Sequence, residues 1–394
     1  MIPSKINIKS PSSIGTVLSV LRSNDWLQSF VPFVMGCVYL WLVWFNFSFS
    51  SSLLIVIGLS LLTTVGFASL GYFINEFFDK ESDTKAGKIN KLSLIPLWSQ
   101  FAILVAILLV TFLPWNWLPR DQISYFLIFL QIGLFLAYSM PIPRLKETSY
   151  ASLVLDALYA YPVPLLLSFH TFSLLSGNQA YPSWFVLFVV ASFFIGIRNI
   201  ITHQIQDIFK DAASGLRTFP MVIGVNQTKT VQTIVFAYEV FFVSIAILVF
   251  SYHFWFVLFV LVGYWIHGWY VFVYHGNLEN PSKMYLEINK AYSLVFPILV
   301  LLFLSLKWPF GWIVLLVHGS ILVPFNFWKL GYNLIIPLVI RLRIAFHRFL
   351  VMNVRHFLSL CINYFIYFLF KLVGVDLKKE GMSAIDYLRK RRKG

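Results

Sequence analysis

The stretch LLIVIGLSLLTTVGFASLGYFINEFFDKESD, residues 53–83, decides the fold. It opens with about twenty uncharged, largely apolar residues, enough to cross roughly 30 Å of hydrocarbon as a helix. It then turns acidic, with Glu76, Asp79, Glu81 and Asp83 inside its last eleven residues, FINEFFDKESD. A spanning segment has no water to satisfy its backbone, so it must be helical. On a helix Asn75, Asp79 and Asp83, spaced four and four, form one polar stripe. Charge at the edge of a membrane is expensive to bury, so the stripe needs a chemical reason.

Similar apolar runs recur along the chain. Of 394 residues, 59% are hydrophobic, 19% aromatic and only 12% charged, and mean hydropathy is +0.79, which excludes an ordinary soluble domain. The expected spans are 27–46, 52–74, 96–114, 122–140, 152–168, 183–204, 229–250, 254–274 and 291–306. The fold class is therefore all-α, a multi-pass membrane helical bundle of about nine transmembrane helices. The N-terminus has no compact apolar stretch ending in a small-residue cleavage site, so no removable signal peptide is expected. Cys37 and Cys361 lie in apolar runs and fit small buried hydrophobes rather than a disulfide framework or metal cluster.

Lysine and arginine placement sets the expected orientation. With the N-terminus inside, fourteen lysines and arginines fall on inward loops, against Arg120 alone on outward loops before residue 307. An integral membrane protein with cytoplasmic basic loops follows, most simply in a bacterial inner membrane. Residues 1–306 form the expected core, and 307–394 a basic, partly amphipathic, membrane-associated extension. Beyond residue 307 the chain carries thirteen basic and three acidic residues, and Arg341, Arg348 and Arg355 recur every seven residues on an apolar background. That stripe suits a helix lying on anionic lipid, not a nucleic-acid-binding tail.

A second stripe appears four spans after the first. RNIITHQIQDIFKD places Asn199, His203, Asp207 and Asp211 four apart, again at the end of an inward-running helix. Both stripes then face one side, and Glu76, Asp79, Glu81, Asp83, Asp207 and Asp211 crowd together. Carboxylates so close repel or take up protons unless a cation sits among them. Amide and carboxylate oxygens without thiolates select a hard cation, and Mg²⁺ bridges one or two carboxylates to substrate phosphates. Nearby Lys80, Lys88, Lys91, Arg144, Lys146, Arg198, Lys210 and Arg217 suit phosphate oxygens, which points to a membrane-borne diphosphate.

NEFFDKESD resembles the Asn-x-x-x-Asp-x-x-x-Asp motif of the UbiA superfamily of intramembrane prenyltransferases. DIFKDAASGLRTFPMVIG, residues 207–224, is similar to its second Asp-x-x-x-Asp motif, and YSMPIPRLK, residues 138–146, to its short Tyr/Lys motif. LRSNDW, residues 21–26, resembles the lead-in to the family's first helix. The likeness covers about residues 15–306 in the family's order; Glu76 stands where many members have Asp, and TKAGKINK after Asp83 lacks the run of haem-farnesylating members. The resemblance implies nine helices around a central cavity and transfer of an allylic chain from a prenyl diphosphate to an acceptor. It implies Asn75, Asp79, Asp83, Asp207 and Asp211 as catalytic metal ligands for Mg²⁺. The resemblance implies substrate contacts from Arg22, Tyr138, Arg144 and Lys146; position beside the stripes adds Lys88, Arg198, His203, Lys210 and Arg217, and Asp156 is a weaker candidate for acceptor binding or helix pairing.

The expected partners are a prenyl diphosphate, a small acceptor and membrane lipids. An aromatic acceptor in quinone or related lipid biosynthesis leads, with a glycerol phosphate or sugar phosphate as the alternative. A transporter or lipid-binding protein would use the same charges as a pathway, but no inverted repeat of broken helices is visible in the sequence. A pseudoenzyme of the same fold conflicts with the intact acidic motifs.

Overall fold

Apolar side chains turned outward leave the backbone no partner but itself, and every regular element among the described residues is helical. The computed structural model describes residues 14–322, apart from 86, 88, 142–144, 148, 214–216, 276–280 and 309–310. The chain divides into two units, Met1–Pro324 and Phe325–Gly394. The second, with the arginine stripe and basic tail, lies outside the described residues.

The principal helices are α1 (Phe30–Trp44), α2 (Ser51–Phe78), α3 (Leu97–Phe112), α4 (Gln122–Ser139), α5 (Ser149–Ala160) and α6 (Pro162–Ser176). They continue with α7 (Ser183–Ala213), α8 (Val225–Ser251), α9 (Val257–His275), α10 (Pro281–Lys290), α11 (Phe296–Lys307) and α12 (Gly311–Ile321). Among the described residues, eight stretches are long and apolar enough to cross a membrane, each coinciding with one of the nine expected spans. The remaining expected span, 254–274, is α9, whose apolar stretch Val257–Trp269 is shorter. The chain is an integral membrane protein.

The expected span 152–168 is two helices rather than one. Pro162 has no amide hydrogen and disfavours helical geometry in the residue before it. Tyr161 accordingly leaves the helix at φ −133°, ψ −69°, and α6 restarts with the proline in its first turn.

Sequential pairs α2 with α3 and α7 with α8 pack side by side, α5 packs on α7, and α11 returns to α1 and closes the bundle. Two of these approaches depend on glycine. A side chain on Gly36 would meet the Pro297 ring at 2.8 Å, and one on Gly196 would meet Ala157 Cα at 2.6 Å. Helix α1 is enclosed on all sides, with every residue from Val31 to Val43 buried. Its C-terminal end is aromatic: Trp41 stands edge-on to Phe169 at 5.1 Å and Phe185 at 5.5 Å, and Trp184 meets Phe250 at 4.6 Å.

Asp121 caps α4, accepting from the Ser124 amide at 2.9 Å. The same oxygen meets His170 Nε2 at 2.8 Å, and His170 Nδ1 meets the Tyr181 hydroxyl at 2.7 Å. Past α11 the chain folds back as α12, where His318 Nδ1 meets the Tyr39 hydroxyl at 3.0 Å.

Candidate active site

The first stripe survives the end of α2. The Asp79 amide still bonds the Asn75 carbonyl at 2.9 Å, and the Asp83 amide bonds the Asp79 carbonyl at 2.8 Å, so helical spacing runs into the short helix Lys80–Lys85. Asn75, Asp79 and Asp83 therefore share one face, as their spacing demands. Lys146, from the segment after α4, forms an ion pair with Asp79 Oδ1, and its Nζ lies 3.3 Å from Asn75 Oδ1. Ser139 adds a contact to Asn75 Oδ1 at 3.5 Å. Asn90 folds the following loop onto the stripe, donating to Asp83 Oδ2 at 3.0 Å and to the Glu76 carbonyl at 2.9 Å.

Arg22 closes the site from the N-terminal side. It sits in the left-handed region at φ 50°, bonds Asp25 at 2.8 Å, and lies 3.8 Å from Glu76 and 5.4 Å over the Tyr72 ring. Lys80 donates to Gln100 Oε1, and burial draws its ammonium below the usual lysine range. It is committed to α3 rather than turned to the stripe.

On α7, Asp211 is buried, Asp207 half-buried and His203 exposed. Tyr138 lies within electrostatic reach of both Asp79 and Asp211, and His203 within reach of Asp207, Arg22 and Asp25. The two stripes, the lead-in segment and the end of α4 thus meet at one end of the bundle. Arg217 is exposed on the connection after the second stripe. Lys88, Arg144 and the side chain of Lys210 lie outside the described residues. Among the described residues, no three His, Cys, Asp or Glu side chains converge as a ready-made metal cage.

Arg198 departs from its expected contact with substrate. It is fully buried, and each of its five N–H donors has an acceptor within the protein. Nε and Nη2 bond the Glu239 carboxylate at 2.6 and 3.1 Å, Nη1 bonds Asn199 Oδ1 at 3.0 Å and the Tyr285 carbonyl at 3.2 Å, and Nη2 also bonds Asn289 Oδ1 at 2.8 Å. Nothing remains to offer a phosphate. Tyr292 completes the network by donating to Glu239 at 2.7 Å. Asn199, the first position of the second stripe, is drawn into it and donates to the Tyr161 hydroxyl at the break between α5 and α6. The sequence reasoning missed Glu239, although a single acid inside the apolar run FAYEVFFV signals a partner for Arg198.

Beyond Phe33, whose ring lies 5.5 Å from Tyr161 and 6.3 Å from Tyr292, an apolar cavity is lined by Leu40, Trp184, Phe188, Ala246, Tyr264 and Phe296.

Comparison with known proteins places this geometry. A UbiA homologue from Archaeoglobus fulgidus, solved bound to GPP and Mg²⁺, superposes with a TM-score of 0.52 at 17% identity, covering 74% of this chain and 99% of the homologue. The apo structure of a UbiA homologue from Aeropyrum pernix K1 superposes at 0.50 and 14% identity, covering 66% and 94% respectively. At such identities the likeness is one of fold. No curated protein matches the chain in sequence. The model of the UbiA prenyltransferase family, however, matches residues 29–293, from the threshold of α1 to the turn before α11 with both acidic stripes inside it, and the chain belongs to that family.

Proposed function

We propose that the protein uses Mg²⁺ to transfer a prenyl chain from a prenyl diphosphate to a small aromatic acceptor, in quinone or related lipid biosynthesis. The observation that carries this is Tyr138, which lies within electrostatic reach of Asp79 on one stripe and of Asp211 on the other. Solved relatives bind GPP with Mg²⁺. The first stripe also suits a cation, because the Asn75 and Asp79 oxygens already converge on the charged nitrogen of Lys146.

In this proposal Asn75, Asp79, Asp83, Asp207 and Asp211 would hold Mg²⁺. Bound Mg²⁺ neutralises charge gathering on the departing diphosphate. Arg22 and Lys146 supply cationic donors for its oxygens, joined by Lys88, Arg144, Lys210 and Arg217. The prenyl chain runs from the stripes into the apolar helix core, where aromatic faces favour allylic positive charge. An aromatic acceptor suits the tyrosines beside Tyr138. The site end faces the cytoplasm, in keeping with the basic inward loops.

The test is product formation by the detergent-purified chain from labelled geranyl diphosphate, with and without Mg²⁺, across hydroxybenzoate and dihydroxynaphthoate acceptors. Mg²⁺-dependent prenylation is expected, and the Asp79→Asn/Asp207→Asn double variant should abolish it. Undiminished turnover in that variant, or no product from wild type, would sink the proposal.

A further inference from the structure

The second acidic stripe sits at the C-terminal end of α7, yet much of that helix has little to fix its height or rotation. From Trp184 to Ile197 it holds no charged residue. Apolar burial is non-directional, so such a surface tolerates sliding and turning. Directional ties begin at Arg198 and crowd into about one turn.

Arg198 makes two bonds to Glu239 of α8, and two more to Asn289 and the Tyr285 carbonyl of α10. Both members of the charged pair are fully buried. Asn199 accepts from Asn289 at 2.9 Å and donates to Tyr161 at the break between α5 and α6. One turn beyond Arg198, Thr202 Oγ1 accepts from Gln232 of α8 at 2.7 Å. Asn289 and Tyr292, which bond Arg198 and Glu239 respectively, flank the start of a π-helical segment, Ala291–Val295. Widened turns of this kind gather at functional sites.

Stability alone does not explain the charges. Apolar residues of similar volume often hold a core as well as a buried ion pair does, whereas buried polar groups are best attested as fixing register. Register matters here because of helical geometry. Nine residues are two and a half turns, so Asp207 projects from the face of α7 opposite Arg198, about 14 Å along the axis. Drawing Arg198 into α8 and α10 therefore fixes which way Asp207 faces and how deep it lies. Asp211 follows one turn later.

We propose that Arg198 is a positioning residue for prenyl transfer: through Glu239 and Asn289 it sets the rotation and height at which α7 presents Asp207 and Asp211 to Mg²⁺ and the diphosphate. This rests on the prenyl-transfer reading above. The guanidinium touches no substrate and acts through the stiffness of one helix.

The test separates position from stability with the Arg198→Met/Glu239→Leu double variant, in which no buried charge is stranded. The full chain is used in detergent, with two readouts beside the melting temperature. The first is the distance between spin labels at Phe77→Cys and Phe209→Cys, exposed positions next to the two stripes. It is measured without metal or substrate in a Cys361→Ala background, where the remaining native thiol, Cys37, is buried. The second is the Mg²⁺ concentration that gives half-maximal rate in the prenylation assay above. The double variant should melt close to wild type, yet shift or broaden the label distance. It should also need about 10–100-fold more Mg²⁺, the scale on which metal sites suffer when the groups orienting their ligands are lost. Arg198→Lys keeps a charge beside Glu239 but loses the planar fork of donors, and should fall between. It takes the same two measurements if the double variant melts well below wild type or fails to accumulate. A wild-type label distance, or a wild-type Mg²⁺ requirement, in the variant measured overturns the proposal. That result leaves prenyl transfer standing, whereas no Mg²⁺-dependent product from wild type sinks the prenyl-transfer reading and this proposal with it.

Discussion

Two carboxylates lie deep in the membrane-spanning helices, Glu239 on α8 and Asp156 on α5, and their surroundings are opposite. Glu239 is fully buried and receives two bonds from Arg198 and one from Tyr292. Its charge is matched, and Arg198 is spent on holding α7, α8 and α10 together. Asp156 has one neutral partner and an open oxygen. A buried charge that the protein neutralises itself is architecture; Asp156, by contrast, is held by a single neutral hydroxyl among the described residues.

The largest effect should come from breaking the matched pair. Glu239→Ala strands the Arg198 guanidinium and should cost about 3–5 kcal/mol, seen as a large fall in melting temperature in detergent. The Arg198→Met/Glu239→Leu double variant should recover most of it, since removing both charges leaves nothing unpaired. If the single variant melts like wild type, the pair is not structural. Next, Asp79→Asn should cut prenylation about 10²–10³-fold if its charge holds Mg²⁺ as proposed, with a smaller fall in melting temperature from the lost ion pair with Lys146. A smaller effect tests how α5, and with it Asp156, is held. Gly196→Val drives a side chain into the Ala157 backbone and should destabilise by about 1–3 kcal/mol, read in the same melts.

The smallest effect concerns a third carboxylate, Asp121, at the opposite end of the bundle. Burial pushes its carboxyl up, but the Ser124 amide and His170 outweigh it and hold the group below the usual carboxylate range. A depressed folded-state value stabilises above the unfolded one, about 3.9, and that stability fades as pH falls through the folded value. Asp121→Ala, which also removes the cap of α4, should cost about 1 kcal/mol at neutral pH. The difference in melting temperature from wild type should shrink below about pH 4. A constant gap would show that only the cap matters.

Much of this was legible before any coordinates. The spans follow from apolar length, and the stripes from spacing that survives the end of α2 because Asp79 and Asp83 keep their helical hydrogen bonds. Arg198 was legible as important but not as paired, because Glu239 lies 41 residues away and only packing of α7 on α8 joins them. The two prolines at 162 and 164 hinted at the break after α5, but the bond from Asn199 to Tyr161 across that break depends on three-dimensional placement. Asp156 was visible as an intramembrane acid; that no cation among the described residues answers it became clear only from its neighbours.

The enclosure of α1 bears on how the protein is made. This helix leaves the ribosome before the helices it packs on, yet Trp41 packs on residues of α6 and α7, and Gly36 receives Pro297 of α11. Its partners arrive more than a hundred residues later, so α1 must wait in lipid or against the insertion machinery with its seam uncovered. Chains stopped before α11 would keep the Gly36 groove open, and quality control would meet them as unfinished membrane proteins even with both acidic stripes already synthesised.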